Sequence, residues 1–171
     1  MAPTIFERLR LQWGVSNNEY QRSVGPESLL NQLLTGDLTA LNEKCSTGKS
    51  GAFFYLTSDN KIFLKTLPKR EFIFFTKIIH NYYKHLSEYP NTLIVRIFGL
   101  YKLKIYQNKQ KIDTVYFISM ENIFWKVKAE QKCTIEEVYD LKGSLYGRTG
   151  AEGEELKDED WVKKNKKIEL P

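Results

Sequence analysis

Residues 45–67, CSTGKSGAFFYLTSDNKIFLKTL, are the first place where this sequence could do chemistry. Gly48-Lys49-Ser50 ends like a nucleotide-binding P-loop, G-x-x-x-x-G-K-[ST], whose first glycine opens the turn that cradles the phosphates. That glycine belongs at position 43, where this chain has Glu43. The aromatic and β-branched residues after the loop favour a strand over the helix a P-loop needs, so the P-loop reading fails. A second kind of phosphate loop joins two antiparallel strands, and a lysine on the second strand meets the phosphates. Gly48 and Gly51 bracket a polar turn containing Ser50. Residues 52–57 read as a strand, Ser58-Asp59-Asn60 as a turn and 61–66 as a second strand carrying Lys65. Closing that hairpin around Asp59 places Lys65 across from about Phe53, close to the glycine turn. An ordinary hairpin with an exposed lysine fits these residues equally well.

The elements around the hairpin sharpen the question. Pro68 breaks the second strand, and 70–86 is the longest helical stretch, with Phe72, Phe75, Ile79, Tyr82, Tyr83 and Leu86 at spacings of three and four. Glu71 is the sole carboxylate between Lys65 and Glu88. In protein kinases a helix glutamate after the lysine strand pairs with that lysine and aims it. A glutamate in a first helical turn is also favourable by itself. Upstream, 6–13 reads as a short amphipathic helix, 19–24 as a second capped by Asn17 or Asn18, and 27–35 as a third started by Pro26. Downstream, 92–106, 114–120 and 132–141 are strand-like. Val115 to Met120 is apolar enough for a central strand running into Glu121-Asn122-Ile123-Phe124, the place of a hinge in a kinase-like lobe. From Glu152 onward an acidic run and then Lys163, Lys164, Lys166 and Lys167 leave few apolar residues, so 151–171 is expected to be a mobile or partner-dependent tail.

Composition sets the bounds. A chain of 171 residues with 42% hydrophobic and 27% charged residues can form one domain with a real core. Its apolar runs are too short for a membrane-spanning helix, and its first residues lack the apolar region of a signal peptide. Cys45 and Cys133 make no disulfide framework, and His80 and His85 make no zinc site. A net charge of +5 suits an anionic partner such as a nucleotide, a nucleic acid or an acidic lipid surface. The aromatic pattern reads as core packing and not as base stacking.

At 138–144, VYDLKGS, the chain resembles the DLKGS signature of the phosphatidylinositol phosphate kinases. GKSGAFFYLTSDNKIFLKTL is similar to that family's nucleotide loop. NTLIVRIFGLYKLK from Asn91, MENIF from Met120 and SLYGRTG from Ser144 follow in the family's order. The flavour is that of phosphatidylinositol 4-phosphate 5-kinases, particularly the plant-like branch. The resemblance implies an α+β fold: a protein-kinase-related lipid kinase N-lobe, an antiparallel sheet with helices packed on it, the C-lobe absent. Residues 1–36 would be a helical segment, 37–150 the nucleotide-binding lobe and 151–171 a charged linker.

The resemblance also implies an activity, transfer of the ATP γ-phosphate to an inositol ring hydroxyl of a phosphatidylinositol phosphate, giving the 4,5-bisphosphate. Carried over by residue, Gly48, Ser50 and Gly51 would cover the ATP phosphates, and Lys65 would bind them, oriented by Glu71. Phe63, on the same strand face as Lys65, would wall the adenine. Asn122 and Ile123 would give hinge backbone contacts. Asp140 and Lys142 belong to the signature strand and turn, with Lys142 aimed at phosphate; the plainer reading is a turn lysine before Gly143. Asp158 and Asp160 resemble a linker motif and receive no role. The family's Mg²⁺ ligands and its MDYSLL stretch have no counterpart in this sequence. The isolated chain is therefore expected to be inactive, with a catalytically silent binding or regulatory module as the alternative. Expected partners are ATP, a phosphoinositide at a membrane surface, and a second copy or a full-length kinase, with no nucleic acid. The expected location is cytoplasmic, peripheral at the plasma membrane.

Overall fold

The computed structural model describes residues 2–25, 54–125, 127, 134–151, 155–165 and 167. They fall into two compact units, Met1–Trp125 and Lys126–Pro171. The division lies at 125/126, not at the 150/151 boundary read from the change in composition.

The first unit opens with α1 (Pro3–Gln12) and α2 (Asn17–Val24). Pro3 suits the first helical turn, where its missing N–H costs nothing. Gly14, at φ +75°, stops α1 in a conformation that only glycine adopts cheaply. Ser16, not Asn17 or Asn18, caps α2. Its hydroxyl accepts from the Glu19 N–H at 3.2 Å, while Glu19 accepts from the Ser16 N–H at 3.0 Å. This reciprocal Ser-x-x-Glu pair starts the helix two residues before the expected position.

A four-stranded antiparallel sheet follows, in the order β1-β2-β4-β3, from β1 (Phe54–Leu56), β2 (Ile62–Leu67), β3 (Ile97–Gln107) and β4 (Gln110–Glu121). Between β2 and β3 runs α3 (Lys69–Glu88), the long helix that the spacing predicts. Its buried residues Phe72, Ile79, Tyr82 and Leu86 join Phe6 and Leu9 of α1 and Ile97, Leu100 and Ile118 of the sheet in one core. A second cluster, Tyr20, Val24, Ile62, Leu64 and Phe98, fills the other side of β2. Ile62 and Leu64, the buried residues of β2, both belong to this second cluster, with the half-buried Phe63 between them.

Residues 92–96 are not the strand expected there. Thr92 accepts or donates a hydrogen bond with His85 Nε2 at 2.9 Å. The buried Tyr82 hydroxyl donates to the Val95 carbonyl and accepts from the Ile97 N–H, both at 2.8 Å. Those anchors hold the segment as a loop, and pairing begins at Ile97. Tyr82→Phe leaves the buried Ile97 N–H and the part-buried Val95 carbonyl without this partner. The expected cost is ~1–3 kcal/mol, read as a lower urea midpoint with an unchanged slope; an unchanged midpoint refutes the anchor.

In the second unit, the described part of the strand expected over 132–141 contains β5 (Tyr139–Asp140), with 134–138 irregular; 132 and 133 lie outside the described residues. β5 pairs in parallel with β6 (Leu156–Lys157), which leads directly into α4 (Asp158–Lys163). Residues 155–165 are thus folded, against the expectation of a tail. The few apolar side chains suffice: Trp161 packs edge-on against Tyr139 at 5.0 Å between ring centroids, and the Leu156 N–H bonds the Val138 carbonyl.

Candidate functional site

The hairpin carrying Lys65 closes differently from the expected register. Phe54, not Phe53, lies opposite Lys65, and the Lys65 ammonium sits 5.3 Å from the Phe54 ring centroid. The turn is set by Asp59, which accepts from the Thr57 hydroxyl at 2.6 Å, the Lys61 N–H at 3.1 Å and the Ser23 hydroxyl of α2 at 2.5 Å. Burial raises the Asp59 carboxyl, but these donors outweigh it and hold the group below the ordinary aspartate range. A one-residue change in register swaps which aromatic faces the lysine.

Lys65 pairs with Ile118 of β4 and Phe63 with Met120, so both side chains share the sheet face that meets α3. The predicted sharing of a face between Phe63 and Lys65 is therefore present. The pairing of Lys65 with Glu71 is not: among the described residues no ion pair joins them, and Glu71 is exposed. The reason lies in the first turn of α3. Phe72 takes the inward position and packs on Tyr116 at 4.6 Å, which turns its neighbour Glu71 outward by about 100°.

Asn122 also departs from its expected role. Its N–H donates to the Lys61 carbonyl at 2.9 Å, and its own carbonyl accepts from the Trp125 N–H at 3.1 Å. Its side chain donates to the Asn60 carbonyl at 2.7 Å and accepts from Phe124 N–H at 3.1 Å. The buried Asn122 thus ties the end of β4 to the β1–β2 turn through its N–H and its side-chain amide, and its carbonyl closes the local turn to Trp125, while Ile123 beside it is exposed. Gly48, Ser50 and Gly51 lie outside the described residues.

In the second unit, Asp140 and Lys142 meet: the Lys142 ammonium is 3.1 Å from an Asp140 carboxylate oxygen. Arg148 reaches the same oxygen at 3.1 Å and donates to the Asp140 carbonyl. The Lys142 ammonium, assisted by Arg148, holds the Asp140 carboxyl below its usual range. Behind them stands Asp158, 6% exposed. It accepts from the Lys142 N–H at 2.9 Å, the Gly143 N–H at 2.7 Å and Arg148 Nε at 2.9 Å. Burial pushes the Asp158 carboxyl up, but Arg148 and the two N–H groups prevail and bring it to about 2. Two consecutive N–H groups converge on one anion because Gly143 sits at φ +71°.

Arg148 and Asp158 were missed by sequence reasoning. Arg148 lies inside a recognised motif without a role of its own, and Asp158 is hidden within an acidic run. The available signal was Leu156 and Trp161, apolar residues that mark a folded element inside that run. No three His, Cys, Asp or Glu side chains converge as metal ligands among the described residues, and Asp140 is engaged by two cations. These residues do not fit a metal ion.

An antiparallel sheet with one long helix on the lysine face defines the smaller lobe of a kinase-type fold. The family model for phosphatidylinositol-4-phosphate 5-kinase matches residues 35–171. A phosphatidylinositol 4-phosphate 5-kinase of Plasmodium falciparum is 39% identical over 150 residues, which is 86% of this chain and 8% of that protein. Phosphatidylinositol 4-phosphate 5-kinase 5 of Arabidopsis thaliana is 34% identical over 148 residues, 86% of this chain and 17% of that protein. Phosphatidylinositol 4-phosphate 5-kinase-like protein 1 of Mus musculus is 34% identical over 148 residues, 86% of this chain and 32% of that protein. The chain belongs to the phosphatidylinositol-4-phosphate 5-kinase family, and it spans at most about a third of the length of these relatives. The plant and mouse identities are equal, so they do not single out a plant-like branch.

Proposed function

We propose that this chain supplies the nucleotide-binding part of a phosphatidylinositol phosphate kinase. In the whole reaction a ring hydroxyl of phosphatidylinositol 4-phosphate attacks the γ-phosphorus of ATP. The bond to the β–γ bridging oxygen breaks, ADP departs, and the hydroxyl proton is lost. Such transfers are governed by positioning and by neutralisation of phosphate charge. The observation that supports the reading is the place of Lys65, paired with Phe54 of β1 and sharing its face with Phe63. In this proposal Lys65 meets the nucleotide phosphates, Gly48, Ser50 and Gly51 cover them, and Phe63 contacts the base. Lys142 presents its ammonium to a phosphate group, with Asp140 holding it. Because Glu71 points to solvent here, its approach to Lys65 would accompany nucleotide binding. The net charge of +5 favours an anionic membrane surface, which fits action as a peripheral protein at the cytoplasmic face of the plasma membrane, alone or paired with a second copy.

Lys65→Ala removes a charge-assisted hydrogen bond of ~1.5–3 kcal/mol. ATP binding by the 171-residue chain, followed calorimetrically, is expected to weaken about 10- to 100-fold. Equal affinity in both proteins, or no ATP binding by the unaltered chain, overturns the assignment. Phosphorylation of phosphatidylinositol 4-phosphate by the same preparation separates the readings: none is expected, and an ATP-binding chain without it is the binding module.

A further inference from the structure

The contacts of Asp158 close a ring. Its carboxylate holds the Lys142 main chain directly, through the Lys142 and Gly143 N–H groups at 2.9 and 2.7 Å. It holds the Lys142 ammonium by relay. Arg148 Nε lies on Asp158, Arg148 Nη2 on Asp140, and the same Asp140 oxygen on Lys142 Nζ. Arg148 is 14% exposed and Asp158 8% at the side chain, while Asp140 and Lys142 are 46% and 63% exposed. The inner pair is therefore packed, and the outer pair is presented to solvent. A concavity of two consecutive N–H groups beside a guanidinium is an anion site, and here a carboxylate of the chain itself occupies it.

We propose that Asp158 is a positioning residue for Lys142: it fixes the 142–143 turn from behind and, through Arg148, orients the carboxylate that aims the Lys142 ammonium. That aim matters for chemistry only if Lys142 meets a phosphate, so this part rests on the function proposed above. The positioning itself does not, and it has its own readouts. Lysine is a point charge on a flexible stem. Fixing its main chain and its counter-ion together removes much of the freedom it would otherwise have.

The test is an NMR titration of the full chain. In Asp158→Asn, Arg148 loses its buried anion and its hold on Asp140 slackens. The Asp140 carboxyl is then expected to titrate closer to an ordinary aspartate, and the Lys142 and Gly143 amides to exchange about 10- to 100-fold faster. Asp160→Asn is the control. Asp160 lies on the same helix and accepts from the Gly150 and Lys157 N–H groups at 2.7 and 2.9 Å, without touching Lys142. It is expected to move neither readout. Asp140 titrating unchanged in a folded Asp158→Asn chain overturns the proposal, and so does an equal response to Asp160→Asn. Should Asp158→Asn fail to fold, the unaltered chain decides. At neutral pH its Lys142 and Gly143 amides must exchange slowly, and unprotected amides there overturn the proposal. Inorganic pyrophosphate, followed at Lys142 Cε, tests the underlying function separately. No response there refutes the phosphate role of Lys142 and leaves the positioning to stand or fall on the titrations.

Discussion

Phe6→Ala should be the most destabilising single truncation in the first unit, at ~3–5 kcal/mol. Phe6 is 2% exposed and lies in the same cluster as Leu9, Phe72, Leu86 and Leu100. Its removal opens a cavity where α1, α3 and the sheet meet, and none of those walls can collapse without moving a helix. A domain is stable by only ~5–15 kcal/mol, so this change consumes a large share. The prediction has a particular edge because the family model begins at residue 35. If the lobe were complete from there, α1 would be an appendage and the substitution nearly silent. The core says otherwise, since α1 fills the space between α3 and β3. Trp13, whose ring lies 5.7 Å from Phe98, reports the unit by fluorescence. A urea midpoint shifted by less than ~1 kcal/mol-equivalent would make α1 an attachment after all.

Much of this lobe was legible from period alone. The three-and-four spacing of 72–86 gave α3, and the alternation of β2 put Phe63 and Lys65 on one face. What was illegible came from side chains reaching across the chain. The register at Lys65 depends on Asp59 gathering Thr57, Lys61 and Ser23, and Ser23 is 36 residues away. Glu71 has the right spacing from Lys65, but spacing does not say which of two adjacent helix positions the core will claim, and Phe72 claimed it. Asn122 looked like a hinge from its motif, yet its N–H and its side-chain amide are committed to the carbonyls of 61 and 60. The same limit governed the second unit. Composition over 151–171 is that of a tail. Its described part, 155–165, is held by the Trp161–Tyr139 contact and by one buried carboxylate meeting two N–H groups about fifteen residues earlier, a contact that no local pattern announces.

That carboxylate makes the second unit the acid-sensitive one. Asp140, Asp158, Glu159 and Asp160 are all held below their ordinary values, against Glu19 and Asp59 in the first unit. Each favours the folded state only while ionised. A carboxyl with a depressed folded pKa contributes stability above its unfolded value, and that contribution drains as pH falls through the folded value. For Asp158 the window runs from the ordinary aspartate value of 3.8 down to about 2. Protonation there removes the buried partner that Arg148 shares with the Lys142 and Gly143 N–H groups, and among the described residues of β5 and α4 the aromatic packing is the Tyr139–Trp161 ring pair. The first unit has two apolar clusters that no proton touches. Acidification should therefore unfold the second unit before the first, with the Trp161 indole resonance losing its dispersion between about pH 4 and 2 while Trp13 stays native-like. Simultaneous loss of both signals would show that carboxylates do not govern the second unit. Retention of the Trp161 signal to the bottom of the window would show that Asp158 is replaceable there, and the turn it supports would need another explanation.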